Sequence, residues 1–222
     1  NGPAGPANWG NLSMAYQTCG NGKNQSPIHI DPQEVISLAL EPLSLEYGEL
    51  MGNLVNTGHA IQLDVSGYNN LKTRGRSYSL QSVQFKHPAE EVINGQGYPM
   101  SMQWLHKDFA GNLLMLSVLV EVGAENPAVN LLWSRLPFLR NERNPIQSNR
   151  ISLKNLLPAQ LGYYTYTGSL TQPPCTEGVL WVVLKQPITL SAQQVATLAK
   201  LYPMNARPVQ PGNGRLIQAS QP

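Results

Sequence analysis

Short apolar or alternating segments separated by turn residues recur along this chain from about Leu43 onward, and they constrain its fold more than any other feature. Segments of this length between turn residues are typical of β-strands. The pattern therefore predicts one large sheet. The clearest predicted strands are Ala60–Val65, Leu80–His87, Met100–His106, Leu113–Val122, Tyr163–Thr167 and Val179–Lys185.

Two stretches predict helices instead. Asn126 followed by Pro127 is a typical helix start, and it leads into a predicted helix over residues 128–135. Ser191 is a favourable N-cap for a second helix over residues 192–201, and Pro203 follows as a stop. Both helices are short, so we expect them at the periphery of the sheet.

Length and composition limit the number of domains and the class of partner. A chain of 222 residues suits one large domain, and we predict a domain over 8–217, an irregular lead over 1–11 and a tail over 218–222. No run of about 18 apolar residues is present, so no membrane span is predicted. The charged fraction is 13% and the formal net charge is +2, which argues against a nucleic-acid partner.

The chain has two cysteines, Cys19 and Cys175. Composition alone leaves two interpretations open, a pair of buried thiols or a disulfide. The chain also begins at Asn1 with a Gly/Pro-rich segment rather than with methionine. That beginning fits a processed secreted protein, and it fits a trimmed chain equally well.

Four motifs carry a resemblance to a known family. They are Gln25-Ser-Pro-Ile, Asn56-Thr-Gly-His-Ala-Ile-Gln-Leu, Gly168-Ser-Leu-Thr-Gln-Pro-Pro-Cys-Thr-Glu-Gly-Val-Leu-Trp and Asn205-Ala-Arg-Pro. With them the chain resembles bacterial-type α-class carbonic anhydrases over nearly its whole length. The resemblance implies an α+β, mainly β, single-domain fold with a large, twisted, mostly antiparallel central sheet and short peripheral helices.

The resemblance also implies a disulfide and a compartment. Extracytoplasmic bacterial members of the family pair cysteines at the positions of Cys19 and Cys175. Because disulfides persist in oxidising compartments, we expect a periplasmic, secreted or cell-surface protein.

The chain departs from the family where three zinc-binding histidines are expected. If residues 82–87 form a strand, side chains alternate, so Val83 and Phe85 face the core while Gln84 and Lys86 face the family's cavity. Alignment through Phe85, and through His106 on the next predicted strand, places Gln84, Lys86 and Gln103 at the ligand positions. We therefore predict no metal and no other cofactor.

Other family positions are retained in part. Glu90 and Thr171 match a pair that orients the metal-bound hydroxide, and His59 matches a proton-shuttle histidine. We interpret these three as vestigial residues, with a Thr171–Glu90 hydrogen bond that holds a loop. Lys86 is expected to pair with Glu90 or Glu91, or else to bind a small anion. The predicted apolar wall of the cavity consists of Leu105, Met115, Leu170, Val179 and Trp181.

These departures predict a catalytically inactive, zinc-free pseudoenzyme of the carbonic anhydrase family, with a binding, adhesion or assembly role. An unidentified protein or an anionic or carbohydrate ligand is the expected partner. Lys72, Arg74 and Arg76 are candidate polyanion contacts beside the alternative of an ordinary charged surface.

Two enzymatic hypotheses stay open beside that prediction. One is a zinc-dependent carbonic anhydrase, catalysing reversible hydration of carbon dioxide, in which His59, His87 and His106 converge on an altered metal site. The other is a metal-independent hydrolase with Thr171 as nucleophile and His59 as base.

Overall fold

The fold is described from a computed structural model that covers residues 2–221, with the backbone alone at 149–150. The two ends of the predicted lead and tail, Asn1 and Pro222, lie outside the described residues. Among residues 2–221, no helix has the length and apolar character needed to cross a bilayer.

Strands make up most of the regular structure. In chain order they are β1 (His29–Ile30), β2 (Ile36–Leu38), β3 (Ser44–Glu46), β4 (Glu49–Asn56), β5 (Ile61–Val65), β6 (Asn70–Thr73), β7 (Arg76–Lys86), β8 (Val92–Ile93), β9 (Gln96–Gly97), β10 (Met100–Asp108), β11 (Leu113–Val122), β12 (Arg143–Ser152), β13 (Tyr163–Ser169), β14 (Glu177–Leu184), β15 (Ile188–Leu190) and β16 (Gln218–Ser220). The helices are α1 (Trp9–Leu12), α2 (Thr18–Asn21), α3 (Pro127–Trp133) and α4 (Ala192–Leu201), and single 3₁₀ turns cover Pro6–Asn8, Met14–Tyr16 and Leu153–Leu156.

One 13-stranded sheet dominates the architecture, with the order β12-β4-β5-β7-β10-β11-β14-β13-β16-β2 along its main path. Neighbours from β12 to β11 run antiparallel, whereas β11–β14 and β16–β2 are parallel. Strands β1, β8 and β9 form a separate small sheet. This architecture confirms the predicted mainly β fold with a mostly antiparallel sheet and short helices.

The two faces of the large sheet pack against different clusters, as the alternation on β7 predicts. Val83 and Phe85 belong to the larger core cluster, with Trp104 from β10 and Leu116 from β11. The opposite face carries the second cluster, built around Trp181. At about 25 cal/mol per Å² of apolar surface removed from water, burial of such large side chains dominates the stability of the sheet.

Both predicted helices are present, and each begins at its predicted cap. The Asn126 side chain accepts hydrogen bonds from the first turn of α3, which ends at Trp133, two residues before the predicted end. Ser191 and Gln194 form a reciprocal capping box on α4. The loss of such a cap costs about 1 kcal/mol, so local interactions fix where these helices begin.

The terminal segments differ from their predicted irregular forms. The lead over 1–11 contains a 3₁₀ turn and most of α1, although its composition favours neither. Residues 218–220 form β16, which pairs with β13 and β2 inside the large sheet, so the predicted tail is wrong over these residues. Pairing with two neighbours decides the structure here because a three-residue segment carries almost no strand signal of its own.

The predicted disulfide is confirmed. Cys19 on α2 is bonded to Cys175 across a sequence separation of 156 residues. The bond ties the N-terminal helices to the loop between β13 and β14. No free cysteine is found among the residues that the structure describes.

Removal of this disulfide is expected to destabilise the fold. Closing so long a loop restricts the unfolded chain, so the paired change Cys19→Ser and Cys175→Ser should lower the free energy of unfolding by about 2–5 kcal/mol. Guanidinium unfolding monitored by circular dichroism measures the difference. Equal unfolding midpoints for the two proteins would contradict this expectation.

His106 makes the stability depend on pH. It is fully buried in the larger core, where Tyr47 Oη lies 2.6 Å from its Nε2 and the Trp104 carbonyl oxygen lies 2.9 Å from its Nδ1. Burial lowers the pKa of His106 from 6.5 to about 4. The folded protein therefore binds fewer protons than the unfolded chain between these values, and stability falls as the pH drops through this window.

The expected loss attributable to His106 between pH 6.5 and pH 4 is about 3 kcal/mol. In the variant His106→Gln the amide cannot take up the proton, so its stability should change less over the same range. The difference between the two pH profiles from urea unfolding is the measured quantity. Parallel profiles would show that His106 does not titrate as the structure indicates.

Candidate functional site

Four neighbouring strands place a row of polar side chains on the sheet face opposite the larger core. In the strand register Gln62 lies beside Gln84, Gln84 beside Gln103, and Gln103 beside Ser117. Cross-strand neighbours share a face, so these four side chains, here called the polar row, point the same way. Two of the three ligand positions considered from the sequence belong to this row.

An apolar wall lies along one side of the polar row. In the adjacent register Leu105 is next to Met115, and Met115 is next to Trp181 on β14. The structure brings together all five predicted wall residues in or against the second core cluster. They are Leu105, Met115, Leu170, Val179 and Trp181.

A buried ion pair lies along the other side of the row. Lys86 is next to Ser101 in the register of β7 and β10, and its Nζ is 3.0 Å from Glu90 Oε1, with 0% exposure of both side chains. Of the partners considered for Lys86, the structure selects Glu90. A buried ammonium group without such a partner would be strongly disfavoured.

Gln103 joins the ion pair to a second buried acid. Its Nε2 donates to Glu90 Oε2 at 2.7 Å and to Glu91 Oε1 at 3.1 Å. Ser117 Oγ donates to the same oxygen of Glu91 at 2.6 Å. Burial, and secondarily the charge of Glu90, raises the pKa of Glu91. Lys86, Glu90, Glu91, Gln103 and Ser117 are called the buried polar network below.

Arg207 from the Asn205-Ala-Arg-Pro motif contacts this network at Glu90. Its backbone N–H donates to Glu90 Oε1 at 2.9 Å. Its guanidinium donates to Gln25 Oε1, to the Ser26 carbonyl and to the Cys19 carbonyl at 2.8–3.0 Å. Two distant motifs and a cysteine of the disulfide thus meet at Arg207, whose backbone holds the carboxylate that pairs with Lys86.

The predicted hydrogen bond between Thr171 and Glu90 is wrong. Thr171 Oγ1 donates instead to Gln103 Oε1, at 3.4 Å. Glu90 is already engaged by Lys86, Gln103 and the Arg207 backbone, so the threonine meets the carboxamide that has come between them. Among residues 2–221 no hydrogen bond joins Thr171 to His59, and the nucleophile–base pair of the hydrolase hypothesis is not formed.

The three histidines of the altered metal site do not converge. His59 is exposed on the turn before β5, where its backbone N–H donates to Thr57 Oγ1. His87 Nδ1 lies 3.1 Å from the Pro203 carbonyl oxygen, outside the buried polar network. His106 lies in the larger core, on the other face of the sheet, because alternation along β10 places it on the same face as Trp104.

The residues at the three family ligand positions do not fit zinc. Protein zinc sites use imidazole, thiolate or carboxylate donors, whereas these positions hold two carboxamides and an ion-paired ammonium. Gln84 Nε2 donates to Gln62 Oε1 at 2.7 Å and to Gln172 Oε1 at 3.4 Å, so this amide presents N–H groups to its neighbours. Within the part of the chain that the structure describes, no group of three or more His, Cys, Asp or Glu residues is placed to hold a metal ion.

The candidate polyanion contacts are engaged locally. Lys72 pairs with Glu46, and Arg76 pairs with Asp108. Arg74 donates from its guanidinium to Thr165 and Gln218. These interactions favour the alternative of an ordinary charged surface for all three residues.

Some residues of the site escaped sequence reasoning. Ser117 is a single polar residue within the apolar strand β11, and strand alternation places it beside Gln103. Gln62 and Gln172, which accept hydrogen bonds from Gln84, lay inside recognised motifs without an assigned role. A search for polar side chains on the inward face of adjacent strands would have found Ser117 and Gln62, since both are set by register.

A family profile and individual relatives point to the same protein family. The profile of the family described as "Eukaryotic-type carbonic anhydrase" matches residues 4–221. A protein of Pectobacterium atrosepticum named carbonic anhydrase is 36% identical over 217 residues, which is 97% of this chain and 88% of the relative. A Klebsiella pneumoniae protein of the same name is 39% identical over 219 residues, again 97% and 88%.

Solved structures agree with these sequence matches. The α-carbonic anhydrase from Thermovibrio ammonificans, in complex with the inhibitor sulfanilamide, has a TM-score of 0.94 and 37% identity, covering 98% of this chain and 96% of the other. Dioscorin in complex with ascorbate has a TM-score of 0.90 and 32% identity, covering 99% and 95%. Curated dioscorins such as dioA3 of Dioscorea japonica are 32% identical over 222 residues, which is 97% of this chain and 82% of the relative.

These matches contradict the predicted inactive protein with a binding, adhesion or assembly role, because relatives that match almost the whole chain bear the name of the enzyme. The prediction inferred loss of activity from departures within the site, chiefly the loss of the histidines. With the family profile over 4–221 and relatives at more than 30% identity over nearly the full length, the chain belongs to the carbonic anhydrase family.

Proposed function

We propose that this chain catalyses the reversible hydration of carbon dioxide on the sheet face that carries the polar row and the apolar wall. The observation that carries the proposal is the similarity over almost the whole chain to bacterial proteins named carbonic anhydrase. The likeness extends to a structure that binds the inhibitor sulfanilamide, at a TM-score of 0.94. The family motifs found in the sequence, such as Gln25-Ser-Pro-Ile and Asn205-Ala-Arg-Pro, support the same assignment.

One side of the polar row suits carbon dioxide, and the other side suits bicarbonate. Carbon dioxide is apolar and uncharged, so it is expected against the wall at Leu105 and Leu170, which are partly buried and border the second core cluster. Bicarbonate carries a negative charge and is expected on the polar side of the row, toward the Lys86–Glu90 pair. His59 is exposed on the turn before β5 and is assigned the exchange of the released proton with solvent.

The chemistry of the site limits the rate that is expected. A zinc-bound water ionises near pH 7 and supports a kcat on the order of 10⁶ s⁻¹. The three ligand positions of this chain do not supply that nucleophile. Solvent water is then the nucleophile that adds to carbon dioxide, and the proton it loses leaves by way of His59. General acid–base catalysis of this kind contributes about 10²–10⁴-fold, so the expected acceleration lies in that range.

The same proposal includes a compartment and a domain. The disulfide between Cys19 and Cys175 supports an oxidising location, periplasmic, secreted or at the cell surface. Residues 8–217 are proposed as one domain. Strand β16, which follows it, pairs with β13 and β2 of that domain. Carbon dioxide, water and bicarbonate are the proposed ligands, and no nucleic-acid partner is proposed.

Stopped-flow measurement of carbon dioxide hydration with a pH indicator tests the proposed activity. The protein should accelerate hydration by about 10²–10⁴-fold over the uncatalysed reaction. A rate indistinguishable from that of the buffer would contradict the proposal.

A wall variant and a matched control locate the activity. Leu170→Glu places a charge on the apolar wall and is expected to reduce the catalysed rate at least tenfold, since carbon dioxide then meets a solvated carboxylate. Phe109→Glu makes the same kind of change on the exposed turn between β10 and β11, and its rate should stay within about twofold of wild type because exposed substitutions perturb the fold little. Equal losses in the two variants would show that the wall is not the site.

A further inference from the structure

Lys86 is a buried charge to which the proposed reaction assigns no step, and its ammonium group lies where the family fold would bring a metal ligand. Its side chain has 0% exposure, and its ion pair with Glu90 closes one side of the polar row. We propose that the Lys86 ammonium, held by Glu90, is the resident cation of this site and that the site works without a metal ion. The catalytic half of this inference rests on the proposed function, and the metal-free half does not.

Both carboxylate oxygens of Glu90 are engaged in this arrangement. One of its carboxylate oxygens meets Lys86 Nζ at 3.0 Å and the Arg207 backbone N–H at 2.9 Å. The other oxygen accepts from Gln103 Nε2 at 2.7 Å. A carboxylate engaged at both oxygens has a defined position, and it therefore fixes the ammonium as well.

The amide atoms that would have to bind a metal already have other hydrogen-bond partners. Gln103 presents its Nε2 to Glu90 and Glu91, and its Oε1 accepts from Thr171. Gln84 presents its Nε2 to Gln62. The N–H groups of both amides are directed toward existing acceptors, so a metal ion would meet carboxamide oxygens at most, and these are not among the usual zinc donors.

A divalent cation at the ligand positions would compete with Lys86 for Glu90. In a poorly solvated region like charges repel strongly, so the ammonium and a metal ion cannot share that carboxylate at short range. Ser101, next to Lys86 in the register, is small and neutral and adds no negative charge there. Entry of a metal would therefore require Lys86 to leave Glu90.

Metal analysis of the wild-type protein tests the metal-free half. After purification and incubation with excess zinc followed by desalting, elemental analysis should find less than about 0.1 zinc per chain, and added zinc should not raise the melting temperature. The triple variant Gln84→His, Lys86→His and Gln103→His restores three imidazole donors and is expected to bind about one zinc per chain with a raised melting temperature. About one tightly held zinc in the wild type would overturn the inference.

Removal of the resident cation tests the catalytic half. Lys86→Met alone leaves Glu90 buried without its partner and is expected to unfold readily, so the informative protein is the double variant Lys86→Met with Glu90→Gln, which removes both charges together. Its hydration rate should fall at least tenfold while circular dichroism shows a folded protein. The matched control, Lys72→Met with Glu46→Gln, removes an exposed lysine–glutamate pair and should keep the wild-type rate within about twofold.

The outcomes separate the two proposals. A wild-type hydration rate that a chelator leaves unchanged, together with loss of the rate in the buried double variant, supports the resident cation. A rate that disappears with the chelator, or a buried double variant as fast as wild type, overturns it. A wild-type protein that binds no zinc and does not hydrate carbon dioxide overturns the proposed function and leaves the metal-free site standing.

Discussion

The buried ion pair between Lys86 and Glu90 is the interaction on which the rest of the site depends. A buried pair of this kind gains little stability over an apolar pair, yet losing one partner leaves an uncompensated charge in the interior. The surrounding residues are arranged accordingly, since Gln103 and the Arg207 backbone complete the hydrogen bonds of the carboxylate. The pair therefore specifies where side chains lie more than it stabilises the sheet.

The large sheet makes this arrangement possible by separating its two faces. Val83 and Phe85 pack into the main core, and the side chains between and after them, Gln84 and Lys86, point to the other face. The apolar face holds the strand in register, because a slip by one residue would turn Phe85 outward and the ammonium into the core. Packing on one side of β7 thus fixes chemistry on the other side.

Much of the fold followed from local sequence signals, whereas the details of the site did not. Alternation on β7 gave the correct faces, and the caps Asn126 and Ser191 gave the starts of two helices. The pairing of β16 and the helices of the N-terminal segment depend on distant contacts that their own composition does not signal.

Within the site, the sequence showed which residues depart from the family pattern. It did not show which hydrogen bonds and ion pairs these residues form in place of metal coordination. The choice of Glu90 over Glu91 as the partner of Lys86 depends on side-chain positions that two consecutive glutamates do not reveal. The bond from Thr171 to Gln103 arises because the carboxamide lies between threonine and acid. The step from missing histidines to an inactive protein was an inference about function from one part of the site, and the comparisons contradict it.

The most direct test of the resident cation is the anomalous difference density at the zinc absorption edge, from crystals of the wild-type protein grown with zinc. The account predicts no peak among Gln84, Lys86 and Gln103, with the Lys86 ammonium in contact with Glu90. A strong peak there, coordinated by side chains of this chain, would contradict it.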